Sequence, residues 1–174
     1  MLYIWTFLYV ASVLFANLYL DHFIELGILG KLSWGTLFFA LVFTLRDKLH
    51  QFGLRAVFIA IGLAVLTNIL AAVYLNTPER FIAASFIAIL VGELADTAMY
   101  QRLTRHSWLT RALSSNAISI PLDTLLFNLL AFYGDMTNTD IGKIIWADIL
   151  FKTVIAGGLA FALNNWRQKR TSLA

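Results

Sequence analysis

The chain contains no cysteine among its 174 residues. Disulfides, thiolate zinc sites and cysteine nucleophiles are thereby excluded. Charge is the second shortage. Asp, Glu, Lys and Arg make up 13% of the chain, about half of the roughly 25% found in a soluble domain. Histidine is scarce: His22, His50 and His106 all fall near the ends of apolar runs, and no metal-ligand spacing such as HExxH occurs. Period-2 alternation is missing, so a transmembrane β-barrel is not expected, and neither an internal repeat nor a low-complexity tract is visible. Met1 leads straight into an apolar run with no basic segment before it, which is not the pattern of a cleavable signal peptide. Together these shortages exclude a soluble enzyme, a disordered chain and a nucleic-acid binder. No metal and no cofactor is expected.

What the chain does have is apolar surface. Hydrophobic residues make up 60% of it, and mean hydropathy is +0.76. A spanning helix takes about 20 predominantly apolar residues, so six spans would use roughly 120 residues and leave short loops. Six apolar runs separate at charged or turn-forming residues: 2–20, 32–45, 54–75, 81–103, 110–133 and 144–165. The expected fold class is therefore all-α, a polytopic membrane protein of one domain with six transmembrane helices. The second run is the shortest, since Leu32 to Leu45 covers only about 21 Å as helix. It must thin the bilayer, lean on neighbours or borrow from the semi-apolar stretch 23–30.

Basic residues set the expected orientation. The loops after spans 2 and 4 carry Arg46, Lys48 and Arg55, then Arg102, Arg105 and Arg111, and the tail carries Arg167, Lys169 and Arg170. The opposite loops hold Lys31, Arg80 and Lys143, one each. Both termini are expected on the cytoplasmic side of an inner membrane. The net charge of +3 then reflects cytoplasmic loops rather than an acidic partner.

Ionisable groups inside the spans are the informative residues. Each costs about 2.5–3.5 kcal/mol at the centre of a spanning helix, yet Glu93 and Asp96 fall in span 4, Asp123 in span 5, and Asp148 and Lys152 in span 6. Such residues face a bundle interior or a wet cavity. Glu93 and Asp96 are three apart and share a helix face, with Gly92 beside them and no spare basic partner on their own helix. Two carboxylates that close in low dielectric resist ionising together, so one is expected to hold a proton. Asn116 and Asp123 also share a face, and Pro121 between them is expected to break the helix. Asp148 and Lys152 stand four apart in the acid-first order that favours an ion pair. Asn17, Asn68 and Asn128 add amides, for which interhelical glue is the plain alternative to a ligand role. Trp5, Trp34, Trp108, Trp146 and Trp166 lie near span ends, where belt anchoring is the default; Trp34 is the one read otherwise.

These residues, in this order, resemble a known family. Span 1 contributes Ala16-Asn17. Span 2 reads Trp34-Gly35-Thr36-Leu37-Phe38-Phe39 and ends in Arg46-Asp47. Span 4 reads Ala84-Ser85-Phe86, Gly92-Glu93-Leu94-Ala95-Asp96-Thr97 and Tyr100. Span 5 carries Ser115-Asn116, Asp123-Thr124 and Ala131-Phe132-Tyr133-Gly134, and span 6 carries Asp148, Phe151 and Lys152. The set resembles the queuosine precursor transporter family, also called the vitamin uptake transporter family, across all six spans. The resemblance implies uptake of 7-deazaguanine bases, chiefly 7-cyano-7-deazaguanine and its aminomethyl relative, with queuine a further candidate. It places Asn17, Trp34, Asp47, Glu93, Asp96, Asn116, Asp123, Asp148 and Lys152 at the family's polar positions.

The chemistry of such a base suits this palette. Its N1–H and exocyclic amine form a donor pair that a carboxylate accepts, its O6 suits an Asn amide or Lys, and its flat face suits stacking on Trp34 or Phe38. The expected partners are a purine-like small molecule and the lipid bilayer, with no nucleic acid; a homodimer is compatible. The competing class is a substrate-binding membrane subunit of an ATP-driven uptake system. Such subunits dock through small residues on span 1, commonly Ala four apart, whereas Ala11 and Ala16 are five apart. An enzyme is disfavoured, because no Ser–His pair shares a depth.

Overall fold

The computed structural model describes residues 1–75 and 78–171. The side chains of residues 167 and 169–171 lie outside the described residues, and with them Arg167, Lys169 and Arg170 of the basic bias. Six α-helices follow in order: α1 (Leu2–Leu18), α2 (Trp34–Leu49), α3 (Leu54–Tyr74), α4 (Glu79–Arg102), α5 (Trp108–Phe132) and α6 (Asn138–Thr171). The chain is an all-α polytopic membrane protein. α3, α4, α5 and α6 are long and apolar enough to cross a bilayer, α1 is a shorter apolar helix, and α2 has 16 residues.

Local chemistry fixes the helix starts. Ser33 caps α2, its hydroxyl accepting from Gly35 N at 3.0 Å. Ser107 caps α5 by accepting from Thr110 N at 3.2 Å. Thr137 and Asp140 form a reciprocal cap at the start of α6, with Thr137 Oγ1 donating to the Asp140 carboxylate at 2.9 Å and accepting from its N–H at 3.2 Å. That cap carries α6 two turns beyond the apolar run beginning at residue 144.

The semi-apolar stretch before α2 is not borrowed helix. It forms an antiparallel hairpin, β1 (Phe23–Glu25) with β2 (Lys31–Ser33), in which Phe23 faces Ser33 and Glu25 faces Lys31. Gly30 closes the hairpin at φ +99°, and a Cβ there would overlap the Lys143 carbonyl of α6. Lys31 adds ion pairs to Glu25 at 3.4 Å and to Asp140 at 3.6 Å. Glu25, then Asp140, holds the Lys31 ammonium above its ordinary range, while the Thr137 hydroxyl, then Lys31, holds Asp140 below the usual carboxylate range. The hairpin is thus pinned to the start of α6.

Packing runs α3–α1–α2–α6–α5–α4 around the bundle, so sequence neighbours and long-range neighbours both contribute. α1 and α2 approach closely because Gly35 has no side chain: a Cβ would overlap the Ala16 carbonyl. The circle closes between α4 and α3, and α1 bridges the two from inside: Ser85 of α4 donates to Asn17 Oδ1 at 2.7 Å, and Asn17 in turn donates to Asn68 Oδ1 on α3 at 2.9 Å. Outward faces are apolar, for example Leu66, Leu70 and Val73 on α3 and Val154 and Phe161 on α6, as a lipid-facing surface requires. The inside of the circle holds the polar residues.

Candidate functional site: a polar cavity and a buried arginine cluster

A cavity of about 470 Å³ opens between the helices in the hairpin half of the bundle. Asn17 and Ser85 form one wall, Thr36 and Phe39 of α2 another, and Asp123, Asn128, Asp148 and Lys152 of α5 and α6 the third. Phe23, Phe127 and Phe132 supply further aromatic faces. The two faces of the cavity are therefore chemically unlike, apolar rings against a cluster of carboxylates, amides and one ammonium.

Lys152 does not pair with Asp148, contrary to the spacing argument. Its ammonium donates to Asp123 Oδ2 at 3.0 Å and to Thr124 Oγ1 at 3.1 Å, both on α5, and lies 4.7 Å from the centre of the Phe39 ring. Asp148 instead accepts from the Thr36 hydroxyl and from Asn128 Nδ2 at 3.4 Å. The four-residue rule describes two side chains lying along an exposed helix face. Inside this bundle α5 offers Lys152 a carboxylate and a hydroxyl at once, and α2 and α5 satisfy Asp148 without it. Gly92 makes room for this: a Cβ there would sit 3.1 Å from the Asp123 Cβ. α5 runs unbroken through Pro121, so the expected helix break is absent.

Glu93, Asp96 and Asn116 lie one layer away, towards the end opposite the hairpin. They are gathered by Arg46, which a run ending at Leu45 places in a loop. α2 continues past Leu45 to Leu49, and Arg46 is fully buried. Its Nη2 lies 2.5 Å from Asp96 Oδ1 and its Nη1 3.1 Å from Glu93 Oε2. Nη2 also donates to Asn116 Oδ1 at 3.2 Å, and Ser119 donates to Asp96 at 3.0 Å. The two acids of α4 therefore have a basic partner after all, supplied by α2 rather than by their own helix. Asp47 is buried beside them with neither carboxylate oxygen hydrogen-bonded; its backbone carbonyl accepts from Trp108 Nε1 at 3.3 Å. His50 stacks on Tyr100 at 4.2 Å.

Two expected contacts fall outside the cavity. Trp34 opens α2 with 47% of its surface exposed and does not line the cavity. Phe38 stacks on Tyr19 at 5.9 Å and meets Phe15 at 5.5 Å. Two residues from Thr36 is about 200° around a helix, which turns Phe38 away and puts Phe39 on the cavity side. Asn68 lines an adjoining, mostly apolar cavity of about 520 Å³ between α1, α3 and α4, and shares Asn17 and Ser85 with the polar one.

Among the described residues no group of His, Cys, Asp or Glu has the geometry to hold a metal ion. The family model described as "Putative vitamin uptake transporter" matches residues 33–163. That stretch contains Thr36, Phe39, Arg46, Asp123, Asp148 and Lys152. No curated protein and no solved structure matches the chain.

Proposed function

Because the chain belongs to the vitamin uptake transporter family, whose model matches residues 33–163, we propose that it imports 7-deazaguanine bases, the precursors of queuosine. 7-Cyano-7-deazaguanine and its aminomethyl relative are the leading cargoes. The observation that carries this reading is the Asp123–Lys152 pair in the cavity wall, with carboxylate and ammonium 3.0 Å apart. The edge of such a base presents two donors, N1–H and the exocyclic amine, next to one acceptor, O6. An acceptor pair beside a cation is the matching sequence of groups, and charge-assisted hydrogen bonds are about twice as strong as neutral ones. Asp148 offers a second carboxylate across the cavity, and Phe39 and Phe127 offer faces for the ring, as aromatic platforms do for bases elsewhere. Asn17, with Ser85, closes the far wall. The carrier performs no covalent chemistry in this reading; the cavity selects and the bundle moves.

The test is ligand-induced thermal stabilisation of the purified protein. Stabilisation of about 2.7 kcal/mol is expected at a base concentration of 100 Kd, for the cyano and aminomethyl deazaguanines above adenine, whose edge lacks N1–H and O6. Equal response to adenine contradicts the assignment.

The proposed orientation puts both termini in the cytoplasm and the hairpin outside, so that the cavity faces the side from which the base arrives. It rests on the uneven basic loops of the sequence. A C-terminal reporter that matures only outside the cytoplasmic membrane is expected to stay silent; a strong signal reverses the orientation.

A further inference from the structure

An apolar layer lies between the Lys152 side of the cavity and the end opposite the hairpin. Phe43, Ile120 and Ala156, from α2, α5 and α6, pack there as a separate apolar cluster, with Phe39 against it. All three are at most 1% exposed. A polar base resting at Lys152 could leave by that end only if this layer parts.

The layer is tied to charged groups on both sides. Along one face of α2, Phe39, Phe43 and Arg46 stand four and three residues apart, the spacing that stacks side chains on a helix. Lys152 lies 4.7 Å from the Phe39 ring centre, Phe39 and Phe43 meet edge to face at 5.6 Å, and the Arg46 guanidinium lies 5.2 Å from the Phe43 ring. A column of cation, ring, ring and cation thus runs from the cavity floor to the buried cluster. At its foot Arg46 joins α2 to α4 through Glu93 and Asp96, and to α5 through Asn116.

The cluster is poorly suited to be a mere rivet. Replacing a buried ion pair by apolar side chains is often neutral or stabilising, so burying one is weak evidence of a role in stability. Here Arg46 Nε, Asp96 Oδ2, Asn116 Nδ2 and both Asp47 oxygens have no hydrogen-bond partner. Asp47 follows Arg46 on α2 itself and is buried beside it.

We propose that Arg46 is the latch of a gate opposite the hairpin, with Phe43 its plug, and that the Phe39–Phe43 column links the latch to the occupant of the cavity. This rests on the carrier reading but not on the identity of the base. Arg46 acts through the helices it joins and is a positioning residue, not a contact of the base.

The natural absence of cysteine gives a clean reporter. A single Ala156→Cys substitution places a thiol in the plug layer, where labelling by a water-soluble maleimide in vesicles holding the full chain reports opening. In the otherwise unaltered protein labelling is expected to be slow. Arg46→Gln together with Asp47→Asn, Glu93→Gln and Asp96→Asn removes the latch while leaving no buried charge stranded among those four. It is expected to speed labelling about tenfold, the result of shifting the closed-to-open balance by about 1.4 kcal/mol. Phe43→Ala, which leaves every ion pair in place, is expected to act in the same direction, and Arg46→Lys to keep labelling slow. An unchanged labelling rate in the latch-removed variant or in Phe43→Ala, each folded and monodisperse, overturns the gate. Faster labelling in a protein that binds no deazaguanine would instead retain the gate and reject the substrate.

Discussion

Asp123→Ala is expected to destabilise the protein by about 3–5 kcal/mol, and adding Lys152→Met to recover most of that loss. The reason lies in what each change leaves behind. Asp123 and Lys152 are 4% and 5% exposed, and their contact is 3.0 Å. Removing the carboxylate alone takes away the ammonium's ion-pair partner and leaves it the Thr124 hydroxyl as its hydrogen-bond acceptor, with the face of Phe39 beside it. Removing both charges, with Met filling the lysine's volume, leaves an apolar contact where two desolvated ions had been. Reversible unfolding of detergent-solubilised single and double variants measures the difference. Additive losses in the double variant would show that the two side chains are not coupled. The same experiment on Asp148 separates the observed pairing from the one suggested by spacing: the coupling between Asp148→Ala and Lys152→Met is expected to be smaller than that between Asp123→Ala and Lys152→Met, because the ammonium donates to Asp123 and the Asp148 carboxylate accepts from Thr36 and Asn128.

Asp123→Asn is expected to weaken binding of the cyano base by about 5- to 150-fold, corresponding to 1–3 kcal/mol for donors left unpaired in a desolvated site. An amide keeps the shape of the carboxylate but turns one acceptor into a donor, facing the donor pair of the base. Phe39→Ala is expected to weaken binding as well, by about 1–3 kcal/mol of lost stacking. Trp34→Ala is expected to leave it intact, because Trp34 lies outside the cavity lining. Isothermal titration on the three purified variants decides between them. Loss at Trp34 with retention at Phe39 would move the ring's platform out of the cavity described here.

Much of the architecture was legible because the bilayer restricts the choices. A chain so apolar has to form closed backbone hydrogen bonds within each span, and the runs map onto six helices with ends shifted by caps that lie outside the apolar stretches. The polar residues were also legible as a set: Asn17, Asp123, Asn128, Asp148 and Lys152 all line one cavity. Their pairing was not. Spacing along one helix says which side chains can meet on that helix, and nothing about what a neighbouring helix offers at the same height. Lys152 went to α5 and Asp148 to α2 and α5 for that reason.

Arg46 shows a different limit. Charge ended the second run at Leu45, which left a span too short for a bilayer. That shortfall was the available signal: extending the helix to a usable length necessarily draws Arg46 and Asp47 into it, on the same face as Thr36, Phe39 and Phe43. Once Arg46 is inside, Glu93 and Asp96 are no longer unpartnered acids. The hairpin of residues 23–33 had no such signal. Three-residue strands are too short to show a period, and what fixes them is contact with Lys143 and Asp140 of a distant helix.

The most direct test of the account is uptake of labelled 7-cyano-7-deazaguanine into vesicles reconstituted with this chain alone. Uptake is expected to exceed that of empty vesicles, to saturate, to be competed by unlabelled aminomethyl deazaguanine but not by adenine, and to fall to the empty-vesicle level with Asp123→Asn. It is expected to need no ATP and no second subunit. Uptake indistinguishable from empty vesicles, by a protein that is folded and correctly inserted, would contradict the claim that this cavity carries the base by itself.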